Sequence, residues 1–377
     1  MNVLIVSGIW PPDVGGPASH APELATFLSA RGHGVEVVTT ADRPPARSPY
    51  PVSHVPRSTP PGLRHARVAA LIALRARRAD VVYATSMISR AGAATALARR
   101  PLVLKLVADA AYERAKRRGL FNGSLAEFQR FEGGLEVRAL RGARDFAIRR
   151  AAHVVCPSAF LREVALGWEL PPEKVTVIPN AIPPLPALRP AGDVRAELGL
   201  EGPLLAFAGR LNAQKALDVA LEALAAVEGP SLAFAGDGPE RERLERRADD
   251  LGLNGRVRFL GARTRPQVLE LFAAADASLL SSSWENFPHT VVEALAVGTP
   301  VLATAVGGVA EVVRDGENGL LVPANDSDAL AGAIRRFLEE DGLAARLAAA
   351  AASSVEHLGG EHVYTRLEAI LRVAADR

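Results

Sequence analysis

Short apolar runs alternate with longer amphipathic segments along the chain. The runs are rich in Val, Leu and Ile without polar residues between them, which is typical of strands that are buried on both faces. The amphipathic segments repeat apolar residues at the spacing of a helix. This alternation predicts an α/β fold built on parallel, doubly wound sheets.

The predicted strands form two series. The first series is Asn2–Val6, Val35–Thr39, Val52–Val55, Val81–Ala84, Leu102–Leu106, His153–Cys156 and Val175–Ile178. The second series is Leu204–Ala208, Leu232–Ala235, Val257–Leu260, Ala277–Leu280, Val301–Ala303 and Leu320–Val322. The predicted helices are Pro17–Ala30, Gly62–Arg78, Leu217–Val227, Glu240–Leu251, Pro266–Ala274 and Thr290–Val297, with further helical segments within 124–150, 326–340, 342–357 and 361–375.

A proline-rich connector separates the two series. It begins at Ile182-Pro183-Pro184-Leu185-Pro186, and segments of this composition commonly join domains. A chain of 377 residues is long enough for two domains. We therefore predict an N-terminal domain over 1–182 and a C-terminal domain over 183–360.

Charge is distributed unevenly between these halves. The net charge is only +2, but residues 1–180 hold 25 Lys and Arg against 14 Asp and Glu, whereas residues 181–377 hold 19 against 28. The arginines are densest within 112–150. A basic half favours a polyanionic partner such as an anionic membrane, nucleic acid or an acidic lipid-linked substrate, and the alternative is a solvated helix face.

Several classes of protein are disfavoured by the same sequence. The single cysteine, Cys156, excludes a disulfide framework and, following Val154 and Val155, is expected in the core. We find neither a nucleotide-binding P-loop nor the glycine motif of dinucleotide-binding domains. No apolar run is long enough to span a membrane, and the N-terminal run lacks the basic start of a signal peptide. We expect a cytoplasmic location, with or without peripheral attachment to the inner face of a membrane.

The most informative stretch lies within 281–309, where a strand leads through a loop and a helix into the next strand. In a parallel sheet, this order brings the loop and the N-terminus of the helix to the carboxyl edge, where such sheets bind ligands. Two carboxylates occur there, Glu285 in the loop and Glu293 in the helix. They could bind a hydroxyl-rich ligand, or Glu285 could cap the helix and Glu293 could be solvated.

Two other loops contain candidate ligand-binding residues. The loop Gly209–Lys215 follows the first strand of the second series and carries Arg210 and Lys215, which suggest a diphosphate site or, alternatively, an exposed pair of cations. Gly15-Gly16 precedes the first helix and allows a close backbone approach to a ligand or a plain tight turn.

Taken in order, these motifs resemble the family 4 glycosyltransferases. The matching residues are G-R-L-x-x-x-K from Gly209, A-G-D-G-P from Ala235, and S-x-x-E-N-F-P with E-A-x-A-x-G-T-P-V from Ser282 to Val301. The first half adds P-P-D-x-G-G and R-G-H-x-V-x-V-x-T. The resemblance covers nearly the whole chain and implies a GT-B fold, in which two Rossmann-like domains face each other across a cleft. It also implies that the terminal helix, 361–377, packs back on the first domain.

The resemblance assigns roles to matching positions. Arg210 and Lys215, beside Gly209, correspond to the pair that neutralises the diphosphate of the donor. Glu293 corresponds to the carboxylate that binds the ribose of the nucleotide, and Glu285 to the one that faces the donor sugar. The remaining predicted donor-binding residues are Asn286, Phe287 and Pro288 beside the sugar and Gly15 and Gly16 in the N-terminal domain.

The resemblance also implies the class of reaction. Members of this family move a sugar from a nucleoside diphosphate donor, often a UDP- or GDP-sugar, to a hydroxyl of a glycan, lipid-linked or small acceptor in polysaccharide or glycolipid synthesis. They retain the anomeric configuration and use no metal and no cofactor beyond the nucleotide-sugar co-substrate. This implies no nucleic-acid partner, whereas an anionic membrane stays a candidate partner. The donor base, the sugar and the acceptor are not identified.

One segment departs from the family pattern. Many members carry a histidine after the strand that matches Leu102–Leu106, but this chain has Asp109 as the nearest polar replacement and Lys105 as a second candidate. Two alternatives to transfer are also open. A nucleotide-sugar epimerase would use the same diphosphate site without an acceptor. A non-catalytic basic module would need no such site in the second domain.

Overall fold

The computed structural model describes residues 1–11, 16–200 and 202–376. It divides into two compact units, which are Met1–Pro183 with Gly360–Arg377, and Pro184–Gly359. The division falls inside the proline-rich connector, one residue after the boundary that we predict from the sequence. Within the described residues, no helix is both long enough and apolar enough to cross a bilayer.

The first unit is built on a seven-stranded parallel sheet in the order β3-β2-β1-β4-β5-β6-β7. Its strands are β1 Asn2–Ser7, β2 Gly34–Ala41, β3 Val52–Pro56, β4 Val81–Ala84, β5 Leu102–Lys105, β6 His153–Cys156 and β7 Val175–Val177. Its first seven helices are α1 Gly16–Ala30, α2 Pro61–Ala76, α3 Ile88–Ala98, α4 Ala110–Arg117, α5 Leu125–Arg130, α6 Leu135–Arg150 and α7 Ala159–Leu166. Helices cover both faces, so residues of β4 and β5 are fully buried.

The second unit repeats this plan with six parallel strands in the order β10-β9-β8-β11-β12-β13. The strands are β8 Leu204–Ala208, β9 Ser231–Ala235, β10 Val257–Gly261, β11 Ala277–Leu280, β12 Val301–Thr304 and β13 Gly319–Val322. The helices are α8 Ala191–Leu198, α9 Leu217–Ala225, α10 Arg241–Asp250, α11 Arg265–Ala274, α12 His289–Ala296, α13 Ser327–Glu339 and α14 Leu343–Ser354. The predicted α/β class with two doubly wound sheets is confirmed.

The terminal helix α15, Gly360–Ala375, belongs to the first unit. Its apolar stripe, which includes Val363 and Leu367, joins the core formed by α1 and the strands of the first sheet. The hydroxyl of Tyr364 donates to a carboxylate oxygen of Glu23 at 2.8 Å. Buried apolar area and this hydrogen bond together attach the end of the chain to its beginning.

Cys156 lies in the core of the first unit, as the sequence predicts. Burial raises the pKa of its thiol to about 12, so the thiol is protonated at neutral pH. A buried, protonated thiol behaves as a small core side chain and not as a nucleophile.

Candidate active site

The candidate site lies at the carboxyl edge of the second sheet, where the strand order reverses. Strands β8 and β11 are neighbours there, although the chain runs from β8 to one side of the sheet and from β11 to the other. Open α/β sheets bind ligands beside such a reversal. The loops that follow these two strands are Gly209–Lys215 and the segment 281–288, which are the two loops singled out by the sequence.

Close backbone contact fixes the first of these loops. The amide of Gly209 donates to the carbonyl of Ala235 at 3.0 Å, and the amide of Leu211 donates to that of Asp237 at 3.0 Å. Gly236 has a φ of +158°, and a Cβ at this residue would overlap the carbonyl oxygen of Gly209. Glycine is therefore required at position 236 so that the loops after β8 and β9 can pass each other.

Side-chain hydrogen bonds join the two loops of the site. The hydroxyl of Ser281 donates to the carbonyl of Lys215 at 2.9 Å, and that of Ser283 donates to the carbonyl of Gln214 at 3.0 Å. The side-chain amide of Gln214 donates in return to the carbonyl of Trp284 at 3.0 Å. These bonds cross 66 to 70 residues of sequence, so they hold the two loops in one relative position.

Lys215 and Glu285 meet at this junction. The Nζ atom of Lys215 lies 2.5 Å from Oε1 of Glu285, and the hydroxyl of Ser282 donates to the same oxygen at 2.8 Å. The side chains are only 16% and 9% exposed. Removing one partner from such a pair is costly because the other charge stays desolvated. The structure thus brings together two residues that the sequence predicts in separate roles, diphosphate binding and sugar binding.

Glu293 has a cationic partner of its own. Its Oε1 lies 2.7 Å from Nε of Arg265, and its side chain is 17% exposed. Arg265, the first residue of α11, also donates to the carbonyl of Pro184 at 3.1 Å. The alternative of a solvated Glu293 is therefore wrong for this structure. Arg265 is a residue that our sequence analysis missed.

Arg210 differs from Lys215, although both belong to one loop. Arg210 is exposed, and it forms no ion pair or side-chain hydrogen bond with any residue that the structure describes. Nearby, Oδ1 of Asn212 is buried without a hydrogen-bond partner among these residues. The loop therefore retains one unpaired cation and one unpaired acceptor.

The start of α12 completes the site. Pro288 is the residue that precedes the helix, and its side chain makes no capping hydrogen bond. Phe287 is buried and lies edge-on against His289, with ring centroids 5.9 Å apart. Asn286 is half-buried in the same segment. Uncapped amides at a helix N-terminus favour the approach of an anion or a sugar oxygen.

The predicted residues of the first half lie in the first unit. Gly15 lies outside the described residues, and Gly16 is the first residue of α1. Asp109 is buried and begins α4, where its side chain accepts hydrogen bonds from the amides of Ala111 and Tyr112. Its other oxygen accepts from Gln129 at 3.1 Å and from Arg144 at 2.8 Å. These contacts give Asp109 a structural role.

Lys105, the second candidate, is also buried, and its Nζ donates to the carbonyl of Ile178 at 3.4 Å. Burial lowers the pKa of this amine to about 7, and the nearby Cys156 opposes the change. No carboxylate lies within ion-pair distance of Lys105 in the described part of the chain.

Two family models cover most of the chain between them. The model described as Glycosyltransferase Family 4 matches residues 14–184, and the model described as Glycosyl transferases group 1 matches residues 193–354. The D-inositol 3-phosphate glycosyltransferase of Nocardioides is 31% identical over 96% of this chain and 87% of its own length. The lipopolysaccharide core biosynthesis glycosyltransferase LpsE of Rhizobium meliloti is 38% identical, but over only 39% of this chain and 43% of LpsE.

Solved structures share the fold over the whole chain. HepE of Anabaena, in complex with UDP-glucose, superposes with a TM-score of 0.80 at 23% identity and covers 99% of this chain and 100% of its own. WaaG, a glycosyltransferase involved in lipopolysaccharide biosynthesis, gives a TM-score of 0.72 at 21% identity over 98% and 99% of the two chains.

Proposed function

The chain belongs to the family 4 glycosyltransferases, and we propose that it transfers a hexosyl group from a UDP- or GDP-sugar to an acceptor hydroxyl with retention of configuration. The observation that carries this proposal is the junction of the loops after β8 and β11. It holds Lys215, Glu285 and the start of α12 at one edge of the second sheet. A cation, a carboxylate and the amides of a helix N-terminus are groups that suit a sugar diphosphate.

The diphosphate is the leaving group, and its departure builds negative charge. Lys215 and the exposed Arg210 stabilise this charge, together with the first-turn amides of α12. Glu285 holds Lys215 at the junction while no ligand is bound. When the diphosphate binds, it competes with Glu285 for the ammonium, which frees carboxylate oxygens to accept hydrogen bonds from the hydroxyls of the donor sugar.

Glu293 binds the ribose in this proposal. A carboxylate can accept several hydrogen bonds, and Arg265 contacts Glu293 through Oε1. Arg265 then acts as a positioning residue that keeps Glu293 ionised and oriented. The segment Val257–Arg263 borders the nucleotide base in this proposal, and Phe259 within it stacks on Phe234 with ring centroids 4.9 Å apart.

Retention follows if the acceptor attacks from the face that the leaving group departs from. The departing phosphate can take the proton of the acceptor hydroxyl, so no separate protein base is required. Glu285 and Glu293 each engage a cation, which suits positioning roles and not the paired acid and nucleophile of a retaining glycosidase. We propose that the protein needs no divalent metal, because cationic side chains and amides meet the charge of the leaving group.

The comparisons support the donor class. HepE was crystallised with UDP-glucose, and the relatives are named as a D-inositol 3-phosphate glycosyltransferase and a glycosyltransferase of lipopolysaccharide core biosynthesis. For this chain we propose a UDP-sugar as the first donor to test and a glycan, lipid-linked or small polyol acceptor. A non-catalytic basic module would not need the junction of the second unit, so the presence of the junction favours a nucleotide-sugar enzyme.

We further propose that the first unit attaches to anionic membranes. Helix α2 exposes Leu63 and Leu74 beside Arg67, and Arg117 and Arg118 are exposed at the end of α4. Apolar side chains among cations are typical of a peripheral membrane surface. Arg75 is a weaker candidate, because its guanidinium lies near Glu36 and Ser53.

A hydrolysis screen tests the transferase proposal, because glycosyltransferases commonly hydrolyse their own donor slowly. The protein is incubated with UDP- and GDP-sugars, with and without a chelator, and the released sugar is followed by proton NMR. We expect release of a hexose in its original anomeric form with one donor base, unaffected by chelator. An isomerised sugar nucleotide would indicate an epimerase, and dependence on manganese would contradict the metal-free leaving-group mechanism.

A further inference from the structure

A cavity of about 280 Å³ lies at the amino edge of the first sheet. Its walls are the first residues of β1 and β2, Pro51 before β3, and the end of α2 with the residues that follow it. Doubly wound sheets bind their usual ligands at the opposite, carboxyl edge. Strand β1 has six residues, so the two edges lie roughly 20 Å apart. We refer to this space as the amino-edge cavity, and none of its lining residues belongs to the candidate active site.

Arg75, in the last turn of α2, lines the amino-edge cavity with its guanidinium only partly satisfied. Its Nη1 lies 3.7 Å from Oε2 of Glu36, and its Nη2 donates to the hydroxyl of Ser53 at 3.4 Å. Both distances are long for contacts of a charged donor. Its Nε is shielded from water and has no hydrogen-bond partner among the described residues. Because a buried N–H without an acceptor is unfavourable, the side chain is stabilised when an oxyanion enters the cavity and the guanidinium turns toward it.

Arg78 adds a second cation to the same wall. It is exposed, and its side chain forms no ion pair or hydrogen bond with any residue that the structure describes. Two arginines and one glutamate give the lining a net charge of +1. The carbonyl end of α2 offsets part of this charge, since a helix C-terminus carries a partial charge of about −0.5. This balance favours a monoanion over a dianion as the ligand.

Glu36 gives the cavity an acceptor, and the backbone limits its size. The carboxylate of Glu36 is half-buried, and an ionised carboxylate can accept hydrogen bonds from a hydroxyl or an ammonium group. A Cβ at Gly34 would overlap Oδ1 of Asn2, so the wall is backbone at this position. The volume is smaller than the roughly 300–1,000 Å³ of pockets for drug-sized ligands. A ligand with few carbons, an anion at one end and a hydrogen-bond donor at the other therefore fits.

We propose that the amino-edge cavity binds a small carboxylate that also carries a hydroxyl or an amino group. The planar guanidinium of Arg75 donates two parallel hydrogen bonds to the carboxylate. Arg78 adds attraction by its charge, and Glu36 accepts from the hydroxyl or the ammonium group. The bound molecule joins the end of α2 to the start of β2 and stabilises the first unit by mass action. The site lies apart from the donor site, so the inference goes beyond the transferase function and does not depend on it.

NMR of the arginine side chains in the full chain, labelled with ¹⁵N-arginine, tests the inference. The signal of Arg75 Nε is identified as the one that is absent from Arg75→Lys. The probes are glycerate and its neutral counterpart glycerol at equal ionic strength, and we expect only glycerate to shift this signal and to saturate. Serine is a parallel probe: a shift with serine alone assigns the site to amino acids, and a shift with glycerate alone assigns it to hydroxy acids.

Variants of neighbouring residues make the test specific. Arg78→Gln should weaken glycerate binding about fivefold, the effect of removing one solvated charge a few ångströms away. Arg77→Gln is the matched control, because Arg77 is exposed beside Arg78 but does not line the cavity, and it should bind like the wild type. The wild type should prefer glycerate to propionate, and Glu36→Ala should lose this preference. If Arg75→Lys fails to fold, a rise in melting temperature with glycerate, absent with glycerol and smaller in Arg78→Gln, gives the same test.

Three outcomes would overturn the inference. The site is wrong if neither glycerate nor serine shifts the signal of Arg75, or if glycerol shifts it equally. It is also wrong if Arg77→Gln weakens binding as much as Arg78→Gln does, because the effect is then that of general surface charge. Tighter binding of inorganic phosphate than of glycerate would contradict the assignment to a carboxylate. The donor proposal is judged separately by the binding of UDP.

Discussion

The two units differ in how the cations at the carboxyl edge of each sheet are paired. In the second unit, Lys215 pairs with Glu285 and Arg265 with Glu293. In the first unit, Arg144 pairs with Asp109, whereas Arg90 and Arg114 form no ion pair in the described part of the chain. We call the edge of the second unit, with its paired cations, the matched edge. Its ion pairs form before a ligand binds, so an anionic ligand must replace a carboxylate as the partner of a cation. A cation without such a partner gains stability from an anionic ligand directly.

The largest expected effect comes from removing cations of the matched edge. We expect Lys215→Ala and Arg210→Ala each to lower kcat by about 10²–10³, the usual effect of deleting one preorganised group that stabilises developing charge. The double variant should lose less than the product of the two, because both residues act on one diphosphate. Initial rates at saturating donor measure this.

The fold must be checked separately in these variants. Lys215→Ala leaves Glu285 buried with the hydroxyl of Ser282 as a hydrogen-bond donor, so circular dichroism and a thermal melt accompany the kinetics. Lys215→Arg should restore activity only in part, since a planar guanidinium does not replace a compact ammonium. A folded double variant with near-normal turnover would exclude the proposed diphosphate site.

Substitutions of the two carboxylates of the matched edge should change different kinetic parameters. Glu293→Gln should weaken donor and free nucleotide alike, by about 1.5–3 kcal/mol for a charge-assisted hydrogen bond. Glu285→Gln should chiefly lower kcat, because its proposed ligand is the sugar. Arg265→Gln should resemble a milder Glu293→Gln, as expected of a positioning residue. The roles are reversed if nucleotide affinity falls more with Glu285→Gln than with Glu293→Gln.

Lys105, buried at the end of β5 in the first unit, should give a smaller effect, on the pH dependence of stability. Its pKa is about 7 in the folded chain against an ordinary 10.5, so between these values the unfolded chain binds more protons. Stability should therefore rise with pH across this window, by up to about 1.4 kcal/mol per pH unit from this residue. Below pH 7 the amine is protonated in both the folded and the unfolded chain, so it no longer changes the free energy of unfolding with pH.

Urea unfolding at several pH values between 7.5 and 9 measures this effect. The raised pKa of Cys156 would lower stability only at higher pH, which is why the series stops at 9. The slope should be shallower in Lys105→Met, and the comparison cancels the other titrating groups. Equal slopes in both proteins would mean that Lys105 is not held neutral in the fold.

Membrane attachment should give the smallest effect per residue. Each exposed cation near an anionic bilayer contributes about 1 kcal/mol at most, and salt screens it. We expect sedimentation with anionic vesicles at low salt, weakened in Arg117→Gln/Arg118→Gln and absent with neutral vesicles. Equal binding to anionic and neutral vesicles would contradict electrostatic attachment, and the basic surface would then be a solvated face.

Much of this architecture can be read from periodicity, and its exceptions have physical causes. Every predicted strand is present with ends within about two residues, because buried parallel strands are continuous apolar runs. Helices α3, α4, α7 and α8 are not among the predicted helices. Helix α3 is rich in alanine. It packs closely enough on α6 that a Cβ at Gly92 would lie 3.1 Å from Cα of Ala147, so no polar face reveals its period.

The sequence singles out the residues of the candidate site but not their pairing. Lys215, Glu285 and Glu293 were identified from loops and spacing, yet the sequence did not indicate that Lys215 lies against Glu285, 70 residues away. Arg265 was not predicted as a site residue because the predicted helix begins at Pro266. A signal was present, since Thr264 and Gln267 form a capping box that begins the helix one residue earlier.

The central claim is that the matched edge of the second unit binds a nucleoside diphosphate through Lys215. Calorimetric titration of UDP and GDP into the wild type, Lys215→Ala and the control Lys174→Ala, whose lysine lies in the first unit, tests it directly. The account predicts that one nucleotide binds the wild type and the control equally and binds Lys215→Ala at least tenfold more weakly. Equal affinity in Lys215→Ala and the wild type, with the fold intact, would contradict it.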